Sequence, residues 1–181
     1  LPIFKMLRKE PDRAYKFFEY INNYLIEYAK EIIKAGADVI AISDPTATGE
    51  ILGGKNFEKF AVPLYKQLIE VIHSYDIPVI VHICGNAKTI INGLNMINAD
   101  ALSFDSMVGM RYAKANITTR LMGNVSTQLL HTGEKEKIIS ITRNCIDSGV
   151  DIVSPACGLS MATSIDNLRI MTDYVKKGNY S

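Results

Sequence analysis

The sequence carries almost no net charge: 20 Lys and Arg stand against 19 Asp and Glu in 181 residues, leaving +1. That argues against the strongly basic face of a nucleic-acid-binding domain. With 48% apolar residues, it also excludes the low-hydrophobicity, high-charge composition of a disordered chain. No apolar run approaches the ~18 residues that would span a bilayer. The first residues, LPIFKMLRKEP, lack the basic start, apolar centre and small-residue cleavage site of a secretory leader. Cysteine is scarce, at three residues. In a chain without a leader these favour metal, catalysis or burial over a disulfide framework. The expectation is a cytoplasmic protein with no membrane and no nucleic-acid partner. Nucleotide-phosphate motifs are missing too: no G-x-G-x-x-G follows a strand pattern, and there is no Walker A sequence.

What is present is a repeated helix–strand sentence. From Pro11 to Lys34, apolar residues at Phe18, Ile21, Leu25, Tyr28 and Ile32 recur at helical spacing, and Ala35-Gly36 ends the run. Short β-branched or apolar runs follow at 38–43, 78–82, 100–104, 120–124 and 151–154, as buried parallel strands require. Helical patterns lie between and after them, at 57–75, 86–97, 106–115, 134–148 and 164–177. Three strands are entered alike, through Gly36-Ala-Asp38, Asn98-Ala-Asp100 and Gly149-Val-Asp151. Strict alternation predicts a parallel α/β sheet with right-handed crossovers. Gly53-Gly54 reads as a flexible loop tip.

The chemistry gathers where these strands end. Asp44-Pro45 follows the first strand, His82-Ile-Cys84-Gly ends the second, Asp105 follows the third, Gly123-Asn124 ends the fourth, and Cys157-Gly follows the fifth. His82 and Cys84, two apart in an extended segment, point to one side. Cys157, at an equivalent strand end, belongs on the same rim. One imidazole and two thiolates with an open fourth position suit a catalytic zinc site; core packing is the plainer alternative. Cys145 lies on the apolar stripe of a helix and reads as a buried small hydrophobe. His73 and His131 read as surface or loop histidines. Asp38, Asp100 and Asp151 stand at the opposite strand ends and read as structural.

The Asp44-Pro, His82-Ile-Cys84-Gly, Gly123-Asn124-Val and Cys157-Gly sequences together resemble the uroporphyrinogen decarboxylase superfamily. Within it they resemble the methylcobalamin:coenzyme M methyltransferases, whose zinc signature is His-x-Cys followed much later by Cys. The true decarboxylases lack that signature, whereas cobalamin-independent methionine synthase shares it on a related barrel. The resemblance implies a zinc-dependent methyltransferase that takes a methyl group from methylcobalamin, carried by a corrinoid protein, and gives it to coenzyme M in methanogenesis. It implies His82, Cys84 and Cys157 as zinc ligands that activate the thiol, with Asp105 as a further candidate ligand and Asp44 and Asn124 as candidate substrate contacts. Arg111 or Arg120 would meet a sulfonate, and the 46–54 loop would border the corrinoid entrance. The alternatives are another thiol or donor (homocysteine, a methylated folate), a uroporphyrinogen decarboxylase-like protein, or a truncated zinc-binding half-barrel without activity.

The implied fold is a parallel (β/α)8 TIM barrel, yet about five βα units are present in a single domain over residues 1–181. A closed barrel needs eight strands and ~250 residues. The chain is therefore expected to be the C-terminal portion of a longer protein, or to complete its barrel by self-association.

Overall fold

A computed structural model describes residues 2–178. Five parallel strands form one sheet: β1 (Ile40–Asp44), β2 (Val79–Ile83), β3 (Ala101–Phe104), β4 (Arg120–Val125) and β5 (Ile152–Pro155). Their order in space is their order in sequence. With right-handed crossovers such an order carries every connection along one face of the sheet. A doubly wound sheet would reverse order at a switch point; this one does not, in keeping with a segment of a barrel wall.

Helix α1 (Pro2–Lys9) precedes the long α2 (Pro11–Lys34), which Pro11 opens and Ala35 closes. After β1 come the single turn α3 (Gly54–Asn56), a π-helical turn at Phe57–Ala61 and α4 (Val62–His73). After β2 a 3₁₀ turn at Lys88–Ile90 leads into α5 (Ile91–Leu94). The remaining helices are α6 (Met110–Asn116), α7 (Thr127–Thr132), α8 (Lys135–Asp147) and α9 (Ile165–Lys177). Several boundaries differ from the sequence reading. β1 begins at Ile40 because Ala37–Val39 lead into it without pairing. The 57–75 and 86–97 helices are each broken near their start, and α1 and α7 are additional.

The sheet has two unlike faces. On β2, Val79, Val81 and Ile83 are fully buried in the main core with Ile69, Ile72, Leu102 and Phe104. Ile80 and His82 point the other way and stay half-buried. The strand register sets Ser43, His82, Ser103 and Met122 side by side across that second face. A smaller core of Val125, Leu130, Ile138, Cys145 and Met171 seats α8 and α9.

The recurrent aspartate at strand entry has a specific job. Asp100 Oδ2 accepts the Val79 amide at 2.7 Å, and Asp151 Oδ2 accepts the Leu121 amide at 2.8 Å. Each carboxylate thus holds the first turn-in of the neighbouring strand, β2 from β3 and β4 from β5. Asp38 is the third member of the series and is exposed. Among the described residues no strand lies beyond β1 for it to hold. His73 is no free surface histidine: it ends α4 half-buried, its Nε2 2.8 Å from Asp100 Oδ2. His131 lies in α7, not a loop, with Nδ1 buried and without a hydrogen-bond partner.

Burial opposes ionisation of Asp100, but the Val79 amide and His73 outweigh it and its carboxyl sits below the ordinary value. Asp151 is lowered too, first by the Leu121 amide and then by Lys114. A depressed carboxyl stabilises the fold above the unfolded value of about 3.9 and loses that contribution as pH falls through the folded value. Asp100→Ala and Asp151→Ala are each expected to lower unfolding free energy by about 1 kcal/mol at neutral pH, and by less at pH 3. Asp38→Ala should stay within about 0.5 kcal/mol of wild type. Urea midpoints of the three variants check this; an equal loss for Asp38→Ala would show the role to be local rather than cross-strand.

Candidate metal centre

His82 is the penultimate residue of β2, and Cys84 follows the strand's end by one residue. Extended backbone across 82–84 turns both side chains to the sheet's second face. Cys157 stands two residues past the end of β5. Although two strands, β3 and β4, lie between them in the order, all strands run the same way, so both thiols arrive at one rim. The Cys84 and Cys157 sulfurs are 3.6 Å apart, and His82 Nε2 is 3.4 Å from Cys84 Sγ. One ligand atom from each residue lies within 4.8 Å of the other two, with all three residues half-buried.

These spacings match the edges of a metal tetrahedron. Zinc–sulfur bonds of about 2.3 Å and zinc–nitrogen bonds of about 2.0–2.1 Å, at tetrahedral angles, separate S from S by about 3.8 Å and N from S by about 3.5 Å. The two separations at Cys84 thus suit a zinc-sized ion, and the His82 and Cys157 ligand atoms lie within 4.8 Å of each other. Electrostatics points the same way. Desolvation, then the hydrogen bond and charge of Cys157, then Asp105 and Asp44, push the Cys84 thiol up to about 11. Burial pushes His82 below its ordinary value, against the pull of the Asp105 charge, which favours the neutral, ligating imidazole. The Cys84 thiol thus resists ionising unless a cation is supplied.

The other expected residues fall around this cluster. Asp105 is outside the three-atom group: Oδ2 accepts the Gly85 amide at 3.4 Å, and Oδ1 accepts from the Ser106 hydroxyl and the Met107 amide. Asp44 spends its carboxylate on the turn after β1, accepting from the Thr46 amide, the Thr46 hydroxyl and the Ala47 amide, while Oδ2 accepts from Tyr65 at 3.0 Å. It borders an apolar cavity of about 430 Å³ bounded by α1, α2, α4 and β1, separate in its lining from the cysteines. Asn124 is 8% exposed, and its amide nitrogen donates to the Asp105 and Val108 carbonyls at 2.9 and 2.7 Å. Its oxygen faces the Cys145 thiol at 3.8 Å, and Cys145 is buried as expected. Asn124 therefore braces the loop that carries Asp105. Arg120 opens β4, at the end of the sheet away from the cysteines, whereas Arg111 lies exposed on α6.

The 46–54 loop is tied down rather than free. The Gly49 amide donates to the Asn86 carbonyl at 2.9 Å, Thr89 Oγ1 donates to the Gly49 carbonyl at 3.2 Å, and Glu50 Oε2 accepts the Asn86 amide at 3.2 Å. Gly54 sits so close to the Thr89 carbonyl that a Cβ would collide with it. Within the Gly53-Gly54 pair, Gly54 is therefore a close-packing site, while Gly53 has open space around it and takes a left-handed φ of 74°. Ser103, which the sequence reading passed over, is buried beside His82, with its Oγ 3.0 Å from Nδ1.

The model of the uroporphyrinogen decarboxylase (URO-D) family matches residues 2–178. A methylcobamide:CoM methyltransferase, MtbA, of Methanosarcina acetivorans is 30% identical over 164 residues, covering 90% of this chain and 48% of that protein. A uroporphyrinogen decarboxylase of Prochlorococcus marinus is 31% identical over 182 residues, covering 97% of this chain and 51% of its own. Among solved structures, a methyltransferase from Methanosarcina mazei superposes with a TM-score of 0.91 at 26% identity, over 97% of this chain and 52% of that one. The chain spans about half the length of the curated relatives it matches.

In metal-free protein a thiol at about 11 has roughly a hundredfold less thiolate at pH 8 than one at 9, partly offset by the greater nucleophilicity of the more basic thiolate. Cys84 of the folded, metal-free chain should therefore react with iodoacetamide about tenfold more slowly than in the urea-unfolded chain. Peptide mass spectrometry over a time course measures this; equal rates would contradict the electrostatic picture.

Proposed function

The chain belongs to the uroporphyrinogen decarboxylase family, and from that premise we propose that its strand-end cluster is the zinc site of a corrinoid:thiol methyltransferase. In that reaction the sulfur of coenzyme M gains the methyl group as the cobalt–carbon bond of a methylated corrinoid breaks, the electron pair staying on cobalt and the thiol proton leaving to solvent. The observation that carries the reading is the His82–Cys84–Cys157 triad, whose ligand atoms all lie within 4.8 Å of one another. The name borne by the Methanosarcina acetivorans relative supports the donor and acceptor.

His82 Nε2, Cys84 Sγ and Cys157 Sγ would hold the ion. Zinc so held would deprotonate a coordinated thiol at neutral pH. The chain's own residues do the rest. Three protein ligands leave the fourth position for the incoming sulfur, the arrangement of a catalytic rather than a structural site. Asp105, bound to the Gly85 amide, acts as an acidic wall beside the cluster; serving as a fourth ligand would require releasing that amide. Asn124 holds this wall through the Asp105 carbonyl. The bonds from Gly49, Glu50 and Thr89 to the 86–89 segment fix the loop that follows Cys84.

Because the chain spans half of its relatives, full turnover is proposed for the chain together with whatever completes its sheet, a second copy being the simplest completion. Purified protein is expected to hold about one zinc per chain. Cys84→Ala and Cys157→Ala should each reduce this below about half an equivalent, because removing one thiolate leaves two ligands. Cobalt absorbance in a mixture of methylcobalamin and coenzyme M, with homocysteine in a parallel sample, reports transfer and acceptor choice. Zinc below half an equivalent and unchanged by Cys84→Ala would overturn the metal reading. Faster transfer to homocysteine would overturn the assigned acceptor, and stoichiometric zinc without transfer would favour the inert half-barrel.

A further inference from the structure

His82 and Ser103 are register partners on adjacent strands, and their side chains share the second face of the sheet. Ser103 is 5% exposed, with its Oγ 3.0 Å from His82 Nδ1. We infer that Ser103 is the positioning residue of the metal-ligating histidine: its hydroxyl oxygen accepts the Nδ1–H of His82 and fixes the ring with Nε2 turned toward the two thiols. The inference rests on the metal reading above.

A neutral imidazole has one N–H and one lone pair. Only the tautomer protonated on Nδ1 leaves Nε2 free to bind an ion. The torsion that turns a histidine ring is broad and roughly two-fold, so the backbone of β2 does not by itself choose which ring edge meets Cys84. A ring flipped about that torsion would present carbon to the sulfurs. An acceptor on the far side of the ring makes the choice, and it is supplied from β3 by the pairing of His82 with Ser103. Because Ser103 belongs to the strand and is buried, its oxygen is held to the same level as the imidazole.

The chemical type of the acceptor also matters. Ligating histidines commonly donate their second N–H to a carboxylate, a carbonyl or water. Here the groups that Ser103 offers, its hydroxyl at 3.0 Å and its backbone, are neutral. Two thiolates and a divalent ion sum to zero, and a buried carboxylate behind His82 would make the site net negative. A neutral partner orients the ring without repelling a third, incoming thiolate.

The test compares Ser103→Ala with Ser103→Thr, which keeps a hydroxyl. Zinc affinity is measured by competition with a chromophoric chelator, the tautomer of His82 by proton–nitrogen NMR of its ring, and stability by thermal melting of the metal-free protein. Ser103→Ala is expected to weaken zinc binding by roughly 10–100-fold and to lose the single protonated-Nδ1 signature, with the metal-free melting temperature unchanged. Ser103→Thr should restore affinity to within about threefold of wild type, far inside that 10–100-fold range. Wild-type affinity and ring signature in Ser103→Ala would overturn the inference and leave Ser103 a packing residue. So would a Ser103→Thr variant as weak as Ser103→Ala. A wild-type chain that takes up no zinc at all would instead sink the metal reading, and this inference with it.

Discussion

The site depends on five strands running in one direction and held at fixed levels relative to one another. Parallel pairing alone permits that arrangement but does not choose the level. The carboxylates of Asp100 and Asp151 help to do so, each gripping the backbone amide at the start of the strand beside it. Once the starting ends are held, the finishing ends are set by strand length, and the Cys84 and Cys157 side chains, just after β2 and β5, arrive within 3.6 Å of each other. The reactive rim is thus aligned from the opposite edge of the sheet.

That dependence explains which parts of the molecule were legible in the sequence. The strand cores were, because β-branched runs entered through a glycine or asparagine and an aspartate are a strong local signal. His82 and Cys84 were legible because a spacing of two in a strand is local geometry, and Cys157 because it occupies the equivalent place in another unit. Ser103 was not. Nothing in Ala101–Phe104 marks its serine; its role exists only through the register that pairs it with His82. Asn124 shows the converse. It stands at a strand end in sequence, where substrate contacts are expected, yet its amide turns inward to the Asp105 and Val108 carbonyls. The helices divide the same way. α2 is long and periodic, whereas α7 has six residues and only its Ser126 cap as a signal. The π turn before α4 has no periodicity of its own to reveal it.

Glycine at two positions shows how tightly the rim is built. Gly54 and Gly49 lie where a Cβ would strike Thr89 or Asn86. The loop after β1 therefore packs directly on the loop after β2, backbone against backbone, through the Gly49–Asn86 hydrogen bond. A loop anchored in this way steadies the segment immediately following Cys84. The sequence pattern Gly-Gly invites the reading of a mobile tip, but close approach rather than freedom is the physical reason for Gly54.

Charge gives the arrangement its chemical sense. Without a cation, burial first, and then the hydrogen bond and charge of Cys157 and the charges of Asp105 and Asp44, keep Cys84 protonated. A divalent ion would reverse that balance, since Cys84, the thiol that resists ionisation, is one of the groups that would bind it. The protein limits how far the reversal goes. Asp105 is engaged with Gly85, Asp44 with Tyr65 and its own turn, and the buried partner of His82 is a hydroxyl rather than a third carboxylate. The two thiolates alone would then balance the charge of a bound divalent ion. Such a site keeps its attraction for one more sulfur anion, which is the property a thiol-activating centre requires.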